Sequence, residues 1–168
     1  MTKFGFWIIP ENDTYQEFNE VIKKYANSFD GPTFTPHMTI HGVVISTDEE
    51  VVKTVREAVK NIKSFELQVG DVEFSTTYFQ CIFARIKTSA KLFNTHLAIR
   101  KAFNMNDKNV FMPHASLVYG DFDMETREKI TKEIKIQNKS FTADKITIVR
   151  ADTSDPKDWT IVEQVPLQ

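Results

Sequence analysis

Apolar and polar positions alternate along the chain in short blocks, and the period changes from block to block. Residues 3–9 are β-branched and aromatic and close at Pro10, which predicts a strand. Tyr15, Phe18, Val21, Ile22 and Tyr25 recur at i, i+3, i+4 spacing, predicting an amphipathic helix that ends near Phe29, and Asp30-Gly31-Pro32 then turns the chain. A strand is predicted over 34–45. Thr47-Asp48-Glu49-Glu50 caps a second helix that buries Val51, Val52, Val55, Val59 and Ile62. Phe65, Leu67 and Val69 alternate, then Val72 and Phe74 do so in the opposite phase, so a bulge or tight bend is expected at Gly70-Asp71. Further strands are predicted over 78–86 and 110–119. Between them a helix carries Leu92, Phe93, Leu97, Ile99 and Phe103 and runs out at Asn104-Met105-Asn106-Asp107. A helix over 124–135 and strands over 142–150 and 159–165 complete the chain.

Helices are interspersed with strand pairs joined by short turns, and no linker separates domains. The fold class expected is α+β with mainly antiparallel sheet. The 168 residues suffice for one domain, or for two small lobes sharing a core. Fourteen phenylalanines supply large apolar side chains for that core.

Charge narrows the function. The 21 Lys+Arg and 23 Asp+Glu leave a formal net charge of −2, so the broad basic footprint of a duplex nucleic-acid binder is missing. The opening apolar run is too short for a secretory core or a membrane span, mean hydropathy is −0.33, and Cys81 is the one cysteine. These features predict a cytoplasmic monomer with no membrane partner. Cys81 itself reads as a buried thiol.

Two segments repeat one frame. Pro36-His37-Met38-Thr39 and Pro113-His114-Ala115-Ser116 both spell Pro-His-x-Ser/Thr, followed by an apolar residue. This composition predicts on the order of 0.02 such matches by chance. On a strand, residues i and i+2 share a face, so each motif presents an imidazole beside a hydroxyl, and the proline places the histidine near a strand's start. Two strands of this kind side by side would make a pocket of two imidazoles and two hydroxyls. At neutral pH one histidine can take a proton from water while the other protonates a leaving oxygen. Thr39 and Ser116 can donate to phosphoryl oxygens. A phosphodiester, in particular a cyclic one, suits this set, and it needs neither metal nor other cofactor.

These paired motifs resemble those of the two-histidine (2H) phosphoesterase superfamily, and the likeness extends to its cyclic phosphodiesterase branch, typified by plant enzymes. Phe29-Asp30-Gly31-Pro32 and Phe34-Thr35-Pro36-His37 resemble that branch's approach to its first motif. Phe79-Gln80-Cys81-Ile82-Phe83 resembles its central strand, and Met112-Pro113-His114-Ala115-Ser116-Leu117-Val118-Tyr119 its second motif; Asp152-Thr153-Ser154-Asp155 with Trp159 resembles its tail. The resemblance implies a bilobal fold over residues 1–168, with two antiparallel sheets lining a central cleft and helices outside. It also implies hydrolysis of nucleoside 2′,3′-cyclic phosphates or ADP-ribose 1″,2″-cyclic phosphate by His37 and His114, with Thr39 and Ser116 on the phosphate. Alternatives are hydrolysis of 2′-5′-linked or cyclic oligonucleotide signals, and a non-catalytic binder of RNA ends. Tyr119 maps to an aromatic that the family places over the phosphate. Five residues beyond His114 it would face away on a straight strand, so a bend near Gly120 is required.

Trp7 and the Tyr78-Phe79 pair are candidates to stack on a base or ribose. His41 shares the face parity of His37 and departs from the branch; it is expected deeper in the cleft or on the substrate, a metal site with Asp121 or Asp123 being the alternative. His96 reads as a core or boundary residue. The mixed charges of Glu125, Arg127, Glu128, Lys129, Lys132 and Glu133 read as a solvated helix face.

Overall fold

The computed structural model describes residues 1–106 and 110–168. Asp107, where the third helix was expected to run out, lies outside them.

Among the described residues the order is β1 (Thr2–Ile8), α1 (Asn12–Phe29), β2 (Met38–Ser46), α2 (Asp48–Val59), β3 (Phe65–Phe74), β4 (Ile82–Ile86), α3 (Ala90–Ala102), β5 (His114–Val118), α4 (Met124–Glu133), β6 (Ser140–Ala143), β7 (Lys145–Arg150) and β8 (Thr160–Pro166), with a 3₁₀ turn at Pro156–Asp158. The strands form one curled antiparallel sheet in the order β6-β3-β4-β5-β2-β1-β7-β8. The α+β class is as expected, but the two sheets of the sequence reading are continuous. They are joined between β2 and β5, where the register has a single residue pair, Met38 with Ala115.

Local chemistry explains most boundaries. Helix α1 buries Phe18, Ile22 and Tyr25 and stops where Asp30 turns left-handed at φ 51°; the amides of Asp30 and Gly31 both donate to Ala26 O. Thr47 Oγ1 accepts the Glu50 N–H at 3.3 Å to cap α2, which buries Val51, Val55 and Val59. In β3 the pairing passes from Val69–Ile86 to Val72–Ala84, one extra residue, which is the bulge expected near Gly70-Asp71. The buried face of α3 is Leu92, Thr95 and Ile99, with Leu97 half exposed. Five residues past Leu92, Leu97 lies well off that face, and Thr95 fits instead because its hydroxyl donates to Lys91 O.

Three strands are shorter than expected. Residues 34–37 and 110–113 belong to no strand and lead into β2 and β5, which begin at Met38 and His114. Residues 78–81 turn before β4 begins at Ile82. Within 75–81 the Ser75 N–H donates to Cys81 O, and its hydroxyl donates to Gln80 O at 2.6 Å, which closes the loop on itself. Cys81 is buried, as its apolar setting suggested.

That loop is held by Arg127, which corrects the reading of α4 as a wholly solvated face. Arg127 is 1% exposed. Its guanidinium donates to Phe122 O (2.8 Å), Ser75 O (2.6 Å), Thr77 O (2.9 Å) and Gly120 O (3.4 Å). The carboxylate of Asp121, 3.8 Å away, is exposed and screened by water, so the carbonyls carry the interaction. Beside them the Gly120 N–H donates to Tyr78 O, and a Cβ on Gly120 would sit 2.3 Å from the Phe122 ring. Glycine at 120 lets the chain after β5 lie against this junction.

No helix among the described residues is long and apolar enough to cross a membrane.

Replacing Arg127 by Met should lower the unfolding free energy by about 3 kcal/mol, because the carbonyls of Phe122, Ser75, Thr77 and Gly120 lose the buried donor group they share. Urea denaturation of the wild type and the variant measures this; an unchanged midpoint would contradict the assignment.

Candidate active site

The Met38–Ala115 pair builds the site. Both residues are fully buried, so the motif residues on either side of each project to the opposite face. In an antiparallel pair this register sets His37 against Ser116 and Thr39 against His114. All four line one cavity of about 500 Å³, a size suited to a small ligand.

The histidines are oriented in the same way. Nδ1 of His37 bonds Thr35 O at 2.7 Å, and Nδ1 of His114 bonds Met112 O at 2.7 Å. A carbonyl only accepts, so each ring carries its proton on Nδ1 when neutral and keeps a lone pair on Nε2. The lead-ins, each with a proline before the histidine, place that carbonyl two residues back. Burial drives both imidazoles towards the neutral form. His37, 7% exposed, is lowered to about 4 by loss of solvent, with the Thr35 bond opposing and the His114 charge assisting. His114 is lowered for the same first reason, with Arg85 contributing.

The hydroxyls and aromatics surround this pair. Ser116 Oγ donates to Phe79 O at 2.8 Å. Thr39 pairs across the ladder with Trp7. Tyr119 stacks on Phe34 at 3.7 Å and meets Phe79 edge-on. Burial pushes its phenol well above the usual value, against a hydrogen bond with Ser116, so it remains a protonated donor. Tyr119 reaches the cavity because β5 bulges. The pairing jumps from Phe83–Ser116 to Ile82–Val118, so Leu117 is extra and the alternation slips by one. The required break in the strand therefore lies at Leu117, ahead of Gly120.

Trp7 was expected as a platform for a ligand ring. It lines the cavity, with its indole stacked on His37 at 3.7 Å between centroids and 14° between planes, and is 7% exposed. Phe79 and Tyr78 are 40% and 42% exposed and offer open faces at the cavity rim. Trp159 also lines it, oriented by Nε1–H donating to Thr153 O at 2.9 Å. The sequence reading noted Trp159 only for the likeness of the tail and gave Gln80 no role. Gln80 Nε2 lies 3.2 Å from His114 Nε2. Read as part of a strand, Gln80 carried no signal; the turn at 78–81 aims it.

His41 does not line this cavity. The β1–β2 register slips between Phe6–His41 and Trp7–Thr39, so Ile40 is extra and His41 leaves the face of His37 and Thr39. It stacks on His96 (5.3 Å), which stacks in turn on Phe111 (4.1 Å), in a smaller adjoining cavity of about 280 Å³. His96 is half-buried, its Nδ1 bonded to Ile40 O. No group of three or more His, Cys, Asp or Glu among the described residues is arranged to hold a metal ion.

A sequence model of the family described as "Cyclic phosphodiesterase-like protein" matches residues 1–167. The chain is 24% identical over 157 residues to the cyclic phosphodiesterase of Arabidopsis thaliana, covering 90% of this chain and 87% of that protein. Among solved structures, that of a phosphoesterase superposes with a TM-score of 0.71 at 13% identity, covering 100% of this chain and 99% of that one. E. coli LigT superposes with a TM-score of 0.68 at 15% identity, covering 99% and 98%. LigT structures include complexes with 3′-AMP, ATP, NADP+ and phosphate. With its whole length spanned by that family model and a LigT-like fold around the paired motifs, the chain belongs to the cyclic phosphodiesterase-like family of 2H phosphoesterases and is a phosphodiesterase.

Proposed function

We propose that the chain hydrolyses a small cyclic phosphodiester, a nucleoside 2′,3′-cyclic phosphate or ADP-ribose 1″,2″-cyclic phosphate, to a phosphomonoester without a metal ion. The observation that carries this reading is the antiparallel Met38–Ala115 pairing, which gives one cavity two imidazoles of one tautomer and two hydroxyls. Residues 1–168 act in this reading as one domain, each half of the sheet lending one motif.

One neutral imidazole takes a proton from water as the water oxygen bonds to phosphorus. The other, protonated on Nε2, gives its proton to the ribose oxygen as the opposite P–O bond breaks. Thr39 Oγ1 and Ser116 Oγ donate to the non-bridging oxygens, where transition-state charge must be held. For this the Ser116 hydroxyl rotates away from its acceptor Phe79 O. Tyr119 adds a phenolic donor. Trp7 braces His37, and the open face of Phe79 takes a ribose or base. That LigT, similar in fold, binds 3′-AMP and NADP+ supports a nucleotide-sized ligand.

The charge of the cavity favours this substrate class. None of the described residues lining it is Lys, Arg, Asp or Glu. A cyclic diester carries one negative charge, which hydroxyls and a single imidazolium can balance. The phosphomonoester formed carries about −1.5 to −2 near neutrality, and a cavity without fixed cations holds it less well. The charge gained in the reaction thus assists product release.

In the presence of EDTA the protein should hydrolyse 2′,3′-cyclic mononucleotides or ADP-ribose cyclic phosphate in preference to 2′-5′ oligoadenylate and 3′-5′ cyclic dinucleotides. His37→Ala and His114→Ala should abolish turnover. Activity lost to EDTA, or retained by either variant, would sink the mechanism, while preference for the oligonucleotides would redirect the substrate class. Thr39→Ala and Ser116→Ala should each lower kcat/KM on the order of 10²-fold.

The pH dependence follows from the burial of both imidazoles. The base must be neutral and the acid protonated, and both free-enzyme values lie below 6.5, that of His37 at about 4. The kcat/KM profile should therefore be a bell with its maximum below pH 6.5, falling through neutrality as the acid loses its proton. The kcat profile should sit at higher pH, since the bound anion favours the imidazolium. A kcat/KM maximum above pH 7.5 would contradict this account.

A further inference from the structure

The two motifs present matching imidazoles, yet their surroundings differ on one side. His114 Nε2, the atom aimed into the cavity, meets the side-chain amide nitrogen of Gln80 at 3.2 Å. Because Nδ1–H of His114 is committed to Met112 O, the neutral ring has only a lone pair at Nε2. The amide must therefore turn an N–H towards it. A bond of this kind favours the neutral imidazole, and it fixes the ring plane at both nitrogens.

Gln80 is well placed to act on the ring because its backbone cannot move freely. Its N–H donates to Thr77 Oγ1 and its carbonyl accepts from Ser75 Oγ. The carbonyls of Ser75 and Thr77 are in turn gripped by the buried guanidinium of Arg127. Gln80 also lines both the main cavity and the adjoining cavity of His41 and His96, at the wall between them.

We propose that Gln80 is a positioning residue for the phosphodiesterase reaction: its amide holds the neutral His114 ring with Nε2 directed into the cleft. Rotation of the amide by half a turn presents Oε1 to the protonated ring. Nε2 has only one lone pair or one proton to share, so the amide gives way to water or the leaving oxygen during proton transfer and holds the ring before and after it, which neither a carboxylate nor an apolar side chain does. The kinetic part of the proposal rests on the reading of His114 as a proton-transfer group; the structural part does not.

Among the described residues, the other charged or titratable groups around His114 are Arg85, His37, Tyr78, Tyr119, His41 and His96. Arg85 on β4 is its ladder partner and is paired to Glu73 of β3 at 3.7 Å. His37 faces it across the cavity, and His41 and His96 line the adjoining one. Gln80 differs from all of these in being bonded to the reacting nitrogen.

The test is an NMR titration of the histidine side chains in the wild type, Gln80→Glu and Gln80→Met, alongside steady-state kinetics. A carboxylate placed beside Nε2 favours the imidazolium, so Gln80→Glu should raise the midpoint of His114 by at least one pH unit while His37 moves by less than half a unit. Gln80→Met should lower kcat roughly tenfold with KM within threefold. An unmoved His114 midpoint in Gln80→Glu overturns the proposal, as does a rise in KM at constant kcat, which would make Gln80 a substrate contact. If the protein hydrolyses none of the cyclic phosphates, the function reading fails; the titration still decides whether Gln80 governs His114.

Discussion

The site depends on one point of contact between two halves of a sheet. Among the described residues, strands β6-β3-β4-β5 and β2-β1-β7-β8 are joined in one ladder by the pairing of Met38 with Ala115. Each of these residues is the middle member of a His-x-Ser/Thr motif, and each is completely buried. Strand alternation then leaves the outer members no choice of face. With antiparallel register the imidazole of one motif lies against the hydroxyl of the other, so an approximate two-fold arrangement follows from one backbone pairing. A one-residue slip of either strand here would turn its own imidazole and hydroxyl into the core.

Around this contact the second motif depends on a buried cation. Arg127 belongs to a helix whose other charged residues face solvent, yet its guanidinium collects carbonyls from the 75–77 loop and from 120–122. Five donors in a planar fork can serve several carbonyls at once, which a lysine ammonium does poorly. The organised loop contributes Phe79 O to Ser116 and the amide of Gln80 to His114. The first motif is braced differently, by the stacked indole of Trp7 on His37. Matched motifs therefore sit in unmatched supports.

Much of this was legible in the chain. The doubled Pro-His-x-Ser/Thr frame, the capped helix at Thr47 and the phase slip at Gly70-Asp71 are local signals, and local hydrogen bonds or alternation realise them. Where reading failed, a bulge or a long-range partner intervened. The parity of His41 with His37 was cancelled by the extra residue Ile40, and the outward parity of Tyr119 was reversed by Leu117. Tyr78 to Cys81 look like strand because they are aromatic and apolar, but their loop is set by Arg127, some 50 residues away in sequence.

The sequence by itself determined the paired frame: two imidazoles and two hydroxyls at strand spacing, in a chain without a broad basic excess. The tautomer of each histidine came from the structure, in the bonds from Nδ1 to Thr35 O and Met112 O. The tertiary structure decided which aromatic supports a histidine and which stays open, which charged residue is buried, and that Gln80 touches His114. Composition and periodicity report what a residue prefers from its neighbours within a few positions. Strand register, bulges and the burial of a guanidinium arise from the packing of segments far apart in the chain, and only the folded chain brings those together.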